Sequence, residues 1–108
     1  MKDYKRVQFF VGLELDKYIQ PVTATVADGL DTVLGVYPGG CTVVEGYGAW
    51  KTPGGETIRE KQVTYTVLVE PHEYDVESVH VTAERLRRRF KQSAVLLTVD
   101  EVVRGGFY

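Results

Sequence analysis

The distribution of apolar and polar residues predicts four strands. "RVQFFVGLEL" alternates in part and is rich in Val and Phe, which predicts a strand from about Arg6 to Leu15. "CTVVEGYGAWK" and "TIREKQVTYTVLVE" stand on either side of "TPGGE", a segment typical of a turn, so together they predict an antiparallel hairpin. "SAVLLTVDEVV" predicts the last strand, which is followed by the tail "RGGFY".

Apolar residues at spacings of three and four predict two helices. The first helix would have Pro21 in its first turn and would stop at Pro38, while Gly29 and Gly35 would allow it to approach the sheet closely. The second lies in "EYDVESVHVTAERLRRRFKQ", with arginines 87–89 on or beside its solvent side. The apolar positions of the two helices are Val22, Val26, Leu30, Val33 and Leu34, and then Val76, Val79, Ala83, Leu86 and Phe90.

The order of these elements predicts an α+β, ferredoxin-like βαββαβ fold, in which two helices cover one face of a four-stranded antiparallel sheet. With 108 residues, we expect one domain spanning 1–108. Alternation along the third strand turns Val63, Tyr65, Val67 and Val69 toward the helices. The other sheet face is too apolar to meet water, so we expect a second subunit or a ligand there. Its residues are Phe10, Val44, Trp50, Thr64, Thr66, Leu68, Leu96 and Val102.

Charge and hydropathy argue against nucleic acid and membranes as partners, although a local basic patch remains compatible with the net charge. Thirteen Lys and Arg against fifteen Asp and Glu give a net charge of −2, so no global positive field attracts nucleic acid. No apolar run approaches the roughly 18 residues of a membrane span. The start "MKDYKRVQFF" lacks the apolar segment of a secretory signal, and we therefore expect a cytoplasmic protein without a membrane partner.

The histidines and the lone cysteine form no recognisable catalytic or metal motif. His72 and His80 lack the spacing of metal ligands, and Cys41 would need an adjacent base to act as a nucleophile. A packed thiol is the simpler interpretation of Cys41. The glycine turns "PGGC" and "TPGGE" match neither a Walker nor a dinucleotide-binding pattern. We expect no metal and no cofactor.

Three segments, "YPGGCTVVEGYGAWK", "GGETIREKQVTYTVLVEP" and "RRRFKQSAVLLTVDEV", together resemble a bacterial domain family of unknown function with a ferredoxin-like fold. The resemblance covers about residues 37–99 and extends to a Phe-x-Gly at Phe10 and Gly12. This chain departs from the family pattern in its short first helix, which lacks the usual Trp, and at Gln62, where Ser is usual. The resemblance implies the fold more than an activity. The matching positions are Pro38, Gly39, Gly48, Trp50, Gly55, Arg59, Glu60, Arg89, Phe90, Gln92, Ser93 and Val95.

The hairpin concentrates the side chains best suited to bind a ligand. Tyr47 and Trp50 lie three apart on a strand and so face opposite sides, and Trp50 either packs at a subunit interface or stacks on a planar ligand. Lys51 and Arg59 form either a cross-strand ion pair with Glu60 or an anion clamp that Glu60 orients.

These features favour a non-enzymatic, homo-oligomeric domain that senses or sequesters a small anionic, nucleotide-like molecule. Aromatic residues of the site would stack on the ligand, and its cations would hold the anionic groups. One alternative is a dimeric ferredoxin-like enzyme acting on a small substrate, with His72, Glu60 or Tyr65 as the base. Another is a purely structural oligomerisation domain built through the hairpin. The predicted ligand-binding residues are Tyr47, Trp50, Lys51, Arg59, Glu60, Tyr65, Arg88 and Arg104.

Overall fold

Four strands form one antiparallel sheet, and two helices pack on one of its faces. The computed structural model describes residues 1–14 and 21–106, apart from the side chain of Val102. The strand order is β2-β3-β1-β4, and each neighbouring pair is antiparallel. The predicted α+β arrangement is confirmed. The elements along the chain are β1 (Lys2–Gly12), α1 (Val26–Val36), β2 (Thr42–Lys51), β3 (Thr57–Val69), a 3₁₀ turn (Pro71–Glu73), α2 (Val76–Arg89) and β4 (Leu96–Gly105).

The core lies between the sheet and the two helices. Alternate residues of β1 and β3 are buried, which confirms the predicted helix-facing side of β3. Burying one large apolar side chain stabilises the fold by roughly 1.5–3 kcal/mol relative to leaving it exposed. Within the described residues, neither helix is long and apolar enough to cross a membrane. The buried apolar residues are Val7, Phe9, Val11, Ala24, Val33, Val63, Tyr65, Val67, Val69, Val79, Leu86 and Phe90.

Strands β1 and β4 begin at residues other than those predicted. β1 begins at Lys2 rather than Arg6, because its first residues pair with the end of β4 beyond an irregularity between Tyr4 and Arg6. The predicted end at Leu15 lies outside the described residues. β4 begins at Leu96 rather than Ser93, since the preceding residues form the loop from α2.

Helix α1 begins five residues later than Pro21 would place it. A capping box fixes the start: the Thr25 hydroxyl accepts from the Asp28 backbone N–H at 3.2 Å, and the Asp28 carboxylate accepts from the Thr25 N–H at 2.8 Å. Pro21 instead forms a β-bridge with Glu14. Arg89 of α2 donates to Asp28 at 2.9 Å, so the capping residue also ties the two helices together.

Helix α2 begins after Asp75, whose carboxylate accepts from the Glu77 backbone N–H at 3.2 Å. Val76, predicted for the apolar face, is 56% exposed, because the buried stripe begins one turn later at Val79. The stripe then continues through Leu86 to Phe90, as its spacing predicts.

An ion-pair cluster on α2 makes stability depend on pH. Glu84 accepts hydrogen bonds from Arg87 at 2.9 Å and from Arg88 at 3.0 Å. These bonds, of which that from Arg87 has the larger effect, lower the pKa of Glu84 from its usual 4.5 to about 2. The folded chain therefore holds this proton more weakly than the unfolded chain. The carboxylate stabilises the fold above its unfolded pKa, and that contribution is lost as the pH falls toward 2.

We expect Glu84→Gln to unfold at a lower urea concentration than the parent protein at neutral pH, and the gap to close near pH 2. Urea unfolding followed by circular dichroism at both pH values measures it. Added salt should narrow the neutral-pH gap, because the arginines and the carboxylate are partly exposed. A gap of equal size at both pH values would contradict the lowered pKa.

Strands β2 and β3 continue past the end of β1 as a two-stranded arm. β1 pairs with β3 as far as Gly12 opposite Gln62, whereas β2 pairs with β3 as far as Lys51 opposite Thr57. Residues 48–60, which we call the arm, therefore form a ladder only with each other in the described part of the sheet. Gly55 gives the turn a φ of 87°, a conformation that favours glycine. The projecting arm fits the elongated shape of the molecule, 47 × 27 × 27 Å.

Candidate functional site

The sheet face turned away from the helices, which we call the open face, carries several exposed apolar side chains. The register places the predicted residues Phe10, Thr64 and Thr66 on this face, where they are partly buried. Val102, predicted for the same face, has its side chain outside the described part of the chain. The exposed large apolar residues of the face are Val44, Trp50, Leu68 and Leu96, with exposed fractions of 58%, 49%, 47% and 62%.

A pocket of about 520 Å³ lies on the open face at the base of the arm. This volume falls within the roughly 300–1,000 Å³ of typical ligand pockets. The end of β1, the first half of β3, the start of β4 and the loop before it supply the walls. Several of the positions that carry the family resemblance meet here, although they are distant in the sequence. The lining residues of this root pocket are Phe10, Gly12, Glu60, Gln62, Gln92, Ser93, Ala94 and Leu96.

Glycine at position 12 lets two polar side chains approach the backbone of β1. A Cβ atom there would stand within 2.5 Å of both Glu60 Oε1 and Gln92 Oε1. Real side chains do not approach a Cβ so closely, so any larger residue would displace both oxygens. The two oxygens are at most about 5 Å apart, since each lies so close to the same point. Gly12 therefore permits a carboxylate and an amide to converge.

The amide of Gln92 has one defined orientation. Its Nε2 donates to the backbone carbonyl oxygens of Glu14, at 2.7 Å, and Phe90, at 3.1 Å. Both partners are acceptors, so the nitrogen must face them, and the oxygen must face Gly12. The residue is almost fully buried, with an exposed fraction of 6%. Gln92 is thus a rigid polar wall of the root pocket.

Trp50 lies on the same face, one step along the arm from Glu60. It stands opposite Ile58, which makes Glu60 its diagonal neighbour across the ladder, at about 7–8 Å. Gly48, the residue opposite Glu60, has no side chain, and Gln62 Oε1 lies 2.9 Å from where its Cβ would stand. The indole is half-exposed. A planar group held beside Glu60 would therefore have an aromatic surface within reach.

Tyr47, Lys51 and Arg59 lie on the other face of the hairpin. The Arg59 guanidinium stands over the Tyr47 ring at 5.8 Å from its centroid. Because consecutive residues of a strand point to opposite faces, Glu60 cannot orient Arg59 or Lys51 as the anion-clamp interpretation requires. The structure therefore separates the three residues from Trp50 and Glu60, with which they were predicted to form one site.

Tyr65 was predicted to stack on a ligand, but it is a core residue. Its side chain is fully buried, and its hydroxyl donates to the Val26 carbonyl oxygen at 2.7 Å. Burial raises the pKa of the phenol far above its usual value, which also removes Tyr65 as a general base. The prediction failed because strand alternation places this ring between the sheet and α1.

The two remaining predicted cations lie elsewhere on the surface. Arg88 is on α2, where it pairs with Glu84. Arg104 donates to Asp3 at 3.1 Å near the start of β1, at the opposite end of the sheet from Gly12. The arginine run of α2 ends at the Gly12 side of the sheet, so Arg88 and Arg104 do not meet in one ligand-binding site as predicted.

The predicted alternative base His72 also lies away from the root pocket. It is exposed on the 3₁₀ turn, with Nε2 at 3.6 Å from Glu70 and 3.7 Å from Glu73. These three residues form a candidate metal cluster, with ligand atoms within 4.8 Å of one another. A hydrogen bond from Lys2 already engages Glu70 and lowers its pKa, so we assign the cluster to surface ion pairing.

A second pocket, of about 560 Å³, occupies the opposite end of the open face. Its charged residues include Arg6 and Glu70, which already pair with Asp100 at 2.6 Å and Lys2 at 2.7 Å. Cys41 also lines it, and burial raises the pKa of the thiol, which makes it a poor nucleophile. The convergence of polar groups favours the root pocket as the candidate site.

Sequence reasoning selected Glu60 and Trp50 but not Gly12, Gln62 or Gln92 as site residues. Two signals pointed to them. The period of two along β3 puts Glu60 and Gln62 on the face of Phe10, and the Phe-x-Gly and Gln-Ser positions belong to the family pattern. The loop that carries Gln92 over the end of β1 is a tertiary feature, which local patterns do not predict.

Solved structures with a similar fold include a phage SAM lyase. In complex with S-methyl-5′-thioadenosine, it matches with a TM-score of 0.67 at 17% identity, over 100% of this chain and 95% of that one. Its apo state gives 0.60 at 17% identity, over 98% and 93%. The B. subtilis GlnK–ATP complex gives 0.53 at 13% identity, over 92% and 84%. At these identities, the likeness establishes the fold alone.

No curated protein matches the sequence significantly. A family model, in contrast, matches residues 6–105, which is nearly the whole chain. The expectation of a family of unknown function, drawn from the Gly-x-Trp, Arg-Glu and Gln-Ser positions, is therefore confirmed. The chain belongs to the family described as "Protein of unknown function (DUF3574)".

Proposed function

We propose that the chain is a single ferredoxin-like domain that assembles into a homo-oligomer and binds a small adenosine-containing molecule in the root pocket. The observation that carries this proposal is the convergence of Glu60, Gln92 and Gly12 from three separate elements in a pocket of ligand size. Binding would serve to sense or sequester the molecule.

Two observations support an adenosine-containing ligand. Glu60 and Gln92 provide polar groups, and Trp50 on the same face provides a stacking surface, a combination suited to a nucleoside. Two proteins with a similar fold are solved with adenosine-containing molecules, S-methyl-5′-thioadenosine and ATP. Lys51 and Arg59, on the other face of the hairpin, would attract the phosphates of an anionic ligand that extends around the arm.

Oligomerisation is part of the same proposal. The open face exposes Val44, Leu68 and Leu96, of which Leu96 lines the root pocket, and exposed apolar side chains on one sheet face favour an interaction site there. The arm carries Trp50 away from its own core, where a second copy could pack against it. Covering this face would also bury the mouth of the root pocket and strengthen polar contacts inside it.

Isothermal titration calorimetry with S-methyl-5′-thioadenosine and with ATP tests the binding. We expect the parent protein to bind at least one of the two, and Glu60→Gln to weaken that binding about 10-fold or more, as expected when a hydrogen bond to a charged group is removed. Arg59→Ala should weaken ATP alone, because S-methyl-5′-thioadenosine carries no phosphate. Native mass spectrometry before and after denaturation would identify a co-purified ligand. If neither compound binds and no adduct is retained, the proposed function is wrong.

An enzyme acting on such a ligand is the second candidate function. Glu60 is the one predicted base candidate that lines the root pocket, whereas Tyr65 is buried and His72 lies on a distant turn. The fold is also similar to that of a SAM lyase. Incubation with SAM, followed by chromatography for S-methyl-5′-thioadenosine, tests this role. Product formation by the parent protein and not by Glu60→Gln would establish it.

A further inference from the structure

We infer that the second pocket receives Trp50 of another copy of the chain, so that two copies pack with their open faces together and their arms pointing in opposite directions. This inference rests on the homo-oligomer of the proposed function and assigns the docking residue and the docking site. Trp50 is the single tryptophan of the sequence, and its half-exposed indole stands on the arm, beyond the last pair of β1 with β3.

The second pocket has the size and the lining that an indole requires. Its volume of about 560 Å³ leaves room for a large aromatic side chain. Tyr4, Leu68 and Val103 give it apolar surface, and Leu68 is 47% exposed. A Cβ atom at Gly39 or Gly40 would have no neighbour within 4 Å, so the backbone at this wall is open to a flat ring.

The polar groups of the second pocket also suit an indole. Arg6 donates to Asp100 through Nε at 2.7 Å, which orients the guanidinium and leaves its flat face for a cation–π contact. The Glu73 carboxylate, 63% exposed, lines the same pocket and can accept from the indole N–H. A phosphate would instead be repelled by the carboxylates of Glu70 and Glu73, so the pocket favours a neutral aromatic group.

The indole in this pocket must come from another copy. Trp50 lies opposite Ile58 in the ladder, whereas Leu68 lies near the other end of β3. The two positions on β3 are about 33 Å apart at the usual rise of a strand. No side chain spans that distance. A two-fold axis that crosses the strands midway between the two positions places Trp50 of each copy over the second pocket of the other.

The side chains along the strands support this arrangement, because large residues would face small or apolar ones. The axis passes between Val44 and Gly46, so Val44 of one copy meets Gly46 of the other, where a Cβ atom would have no neighbour within 4 Å. On β3, Ile58 meets Leu68. In order along β2, the open-face residues are Thr42, Val44, Gly46, Gly48 and Trp50.

The open face is large enough for a stable dimer. Four strands about 4.8 Å apart and about 33 Å long present roughly 650 Å² on each copy. Two such faces bury roughly 1,300 Å² together, which falls within the 1,200–2,000 Å² of standard interfaces. The pocket extends across the sheet from Gly40 before β2 to Val103 on β4, so it can receive the indole at more than one crossing angle of the two sheets.

Docking of the indole is compatible with its proposed role in stacking. Sheets that pack face to face lie about 10 Å apart. An indole with its edge in the pocket of the other copy would span this gap and keep a ring face toward the root pocket of its own copy. Assembly would then hold the stacking surface beside the ligand.

Complementation between two variants tests the inference. Trp50→Ala lacks the docking residue, and Leu68→Arg places a charge in the docking site at a position that is already exposed. We expect each variant alone to associate at least about 30-fold more weakly than the parent protein in sedimentation velocity. A heterodimer of the two variants keeps one Trp50 and one intact pocket. We therefore expect their equimolar mixture to associate about 10-fold or more tightly than either variant alone.

Tryptophan fluorescence gives a second readout of the same mixture. Trp50→Ala contributes no tryptophan, so the emission comes only from the indole of Leu68→Arg. We expect this emission to move to shorter wavelength on mixing, because the indole enters the intact pocket. Val81→Arg serves as the control, since it adds the same charge at an exposed apolar position of α2, away from the open face. It should associate as tightly as the parent protein.

Two results would overturn the inference and leave the proposed function intact. In the first, Leu68→Arg associates as tightly as the parent protein. In the second, the mixture associates no better than its components and its emission does not move. A parent protein that stays monomeric at all concentrations would overturn the inference together with the proposed homo-oligomer, whereas calorimetry would still decide ligand binding separately.

Discussion

Gly29→Ala should destabilise the protein by about 1–3 kcal/mol, the usual cost of overpacking a core. Gly29 is buried on α1 where the helix meets β3, and a Cβ atom there would stand 2.5 Å from Cζ of Tyr65. The Tyr65 ring cannot retreat easily, because it is fully buried and its hydroxyl donates to the Val26 carbonyl oxygen. The helix would have to move away from the sheet.

Gly35→Ala provides the matched comparison on the same helix. Its new methyl group would enter open space, and alanine is favoured over glycine in a helix, so we expect a gain of up to about 1 kcal/mol. The urea midpoints of the two variants should therefore move in opposite directions from that of the parent protein. Equal stability of the two variants would mean that the contact between Gly29 and Tyr65 is not tight in solution.

Trp50→Ala should weaken assembly by about 30-fold or more, because loss of a buried tryptophan at an interface typically costs at least about 2 kcal/mol. The indole projects from the open face of the arm, 49% exposed, on the same sheet face as the other exposed apolar residues. A second copy packed on this face would bury it. Sedimentation velocity over a range of protein concentrations measures the change in association.

Tyr47→Ala is the control for this prediction. Tyr47 is even more exposed, at 66%, but it lies on the opposite face of the hairpin, under the Arg59 guanidinium. We expect its truncation to change assembly by less than about threefold, as for a residue at the rim of an interface. If Tyr47→Ala disrupts the oligomer and Trp50→Ala does not, the interface uses the cationic face of the hairpin and the open face is free.

Most elements of the fold were predictable from patterns of neighbouring residues in the sequence. The hairpin turn, the alternation of β3 and the apolar spacing of α2 from Val79 onward each depend on neighbours within a few residues, and each is confirmed. The predicted start of α1 at Pro21 was wrong. The reciprocal hydrogen bonds between Thr25 and Asp28 fix the first turn of the helix more strongly than a proline does. Of the two helical glycines predicted to approach the sheet, Gly29 does and Gly35 does not. Which one approaches depends on the orientation of α1.

The candidate site was predictable only in part. Strand periodicity places Trp50 and Glu60 on one face, so two members of the predicted ligand-binding set remain together. The same periodicity separates them from Arg59 and Lys51, which proximity in the sequence had grouped with them. Gln92 reaches the site through its side-chain bonds to Glu14 and Phe90, and contacts of this kind become visible only when the chain is folded.

Because the two strands of the arm pair only with each other in the described part of the sheet, the arm can accept insertions that the rest of the sheet cannot. Adding one residue after Lys51 and one before Thr57 would lengthen the arm by one pair without altering any contact of the core. Adding a single residue to β2 between Tyr47 and Trp50 would instead turn the indole to the cationic side, because side chains alternate with a period of two. Related chains with longer or shorter arms should therefore differ by matched insertions in the two strands, or else carry their aromatic residue on the other face.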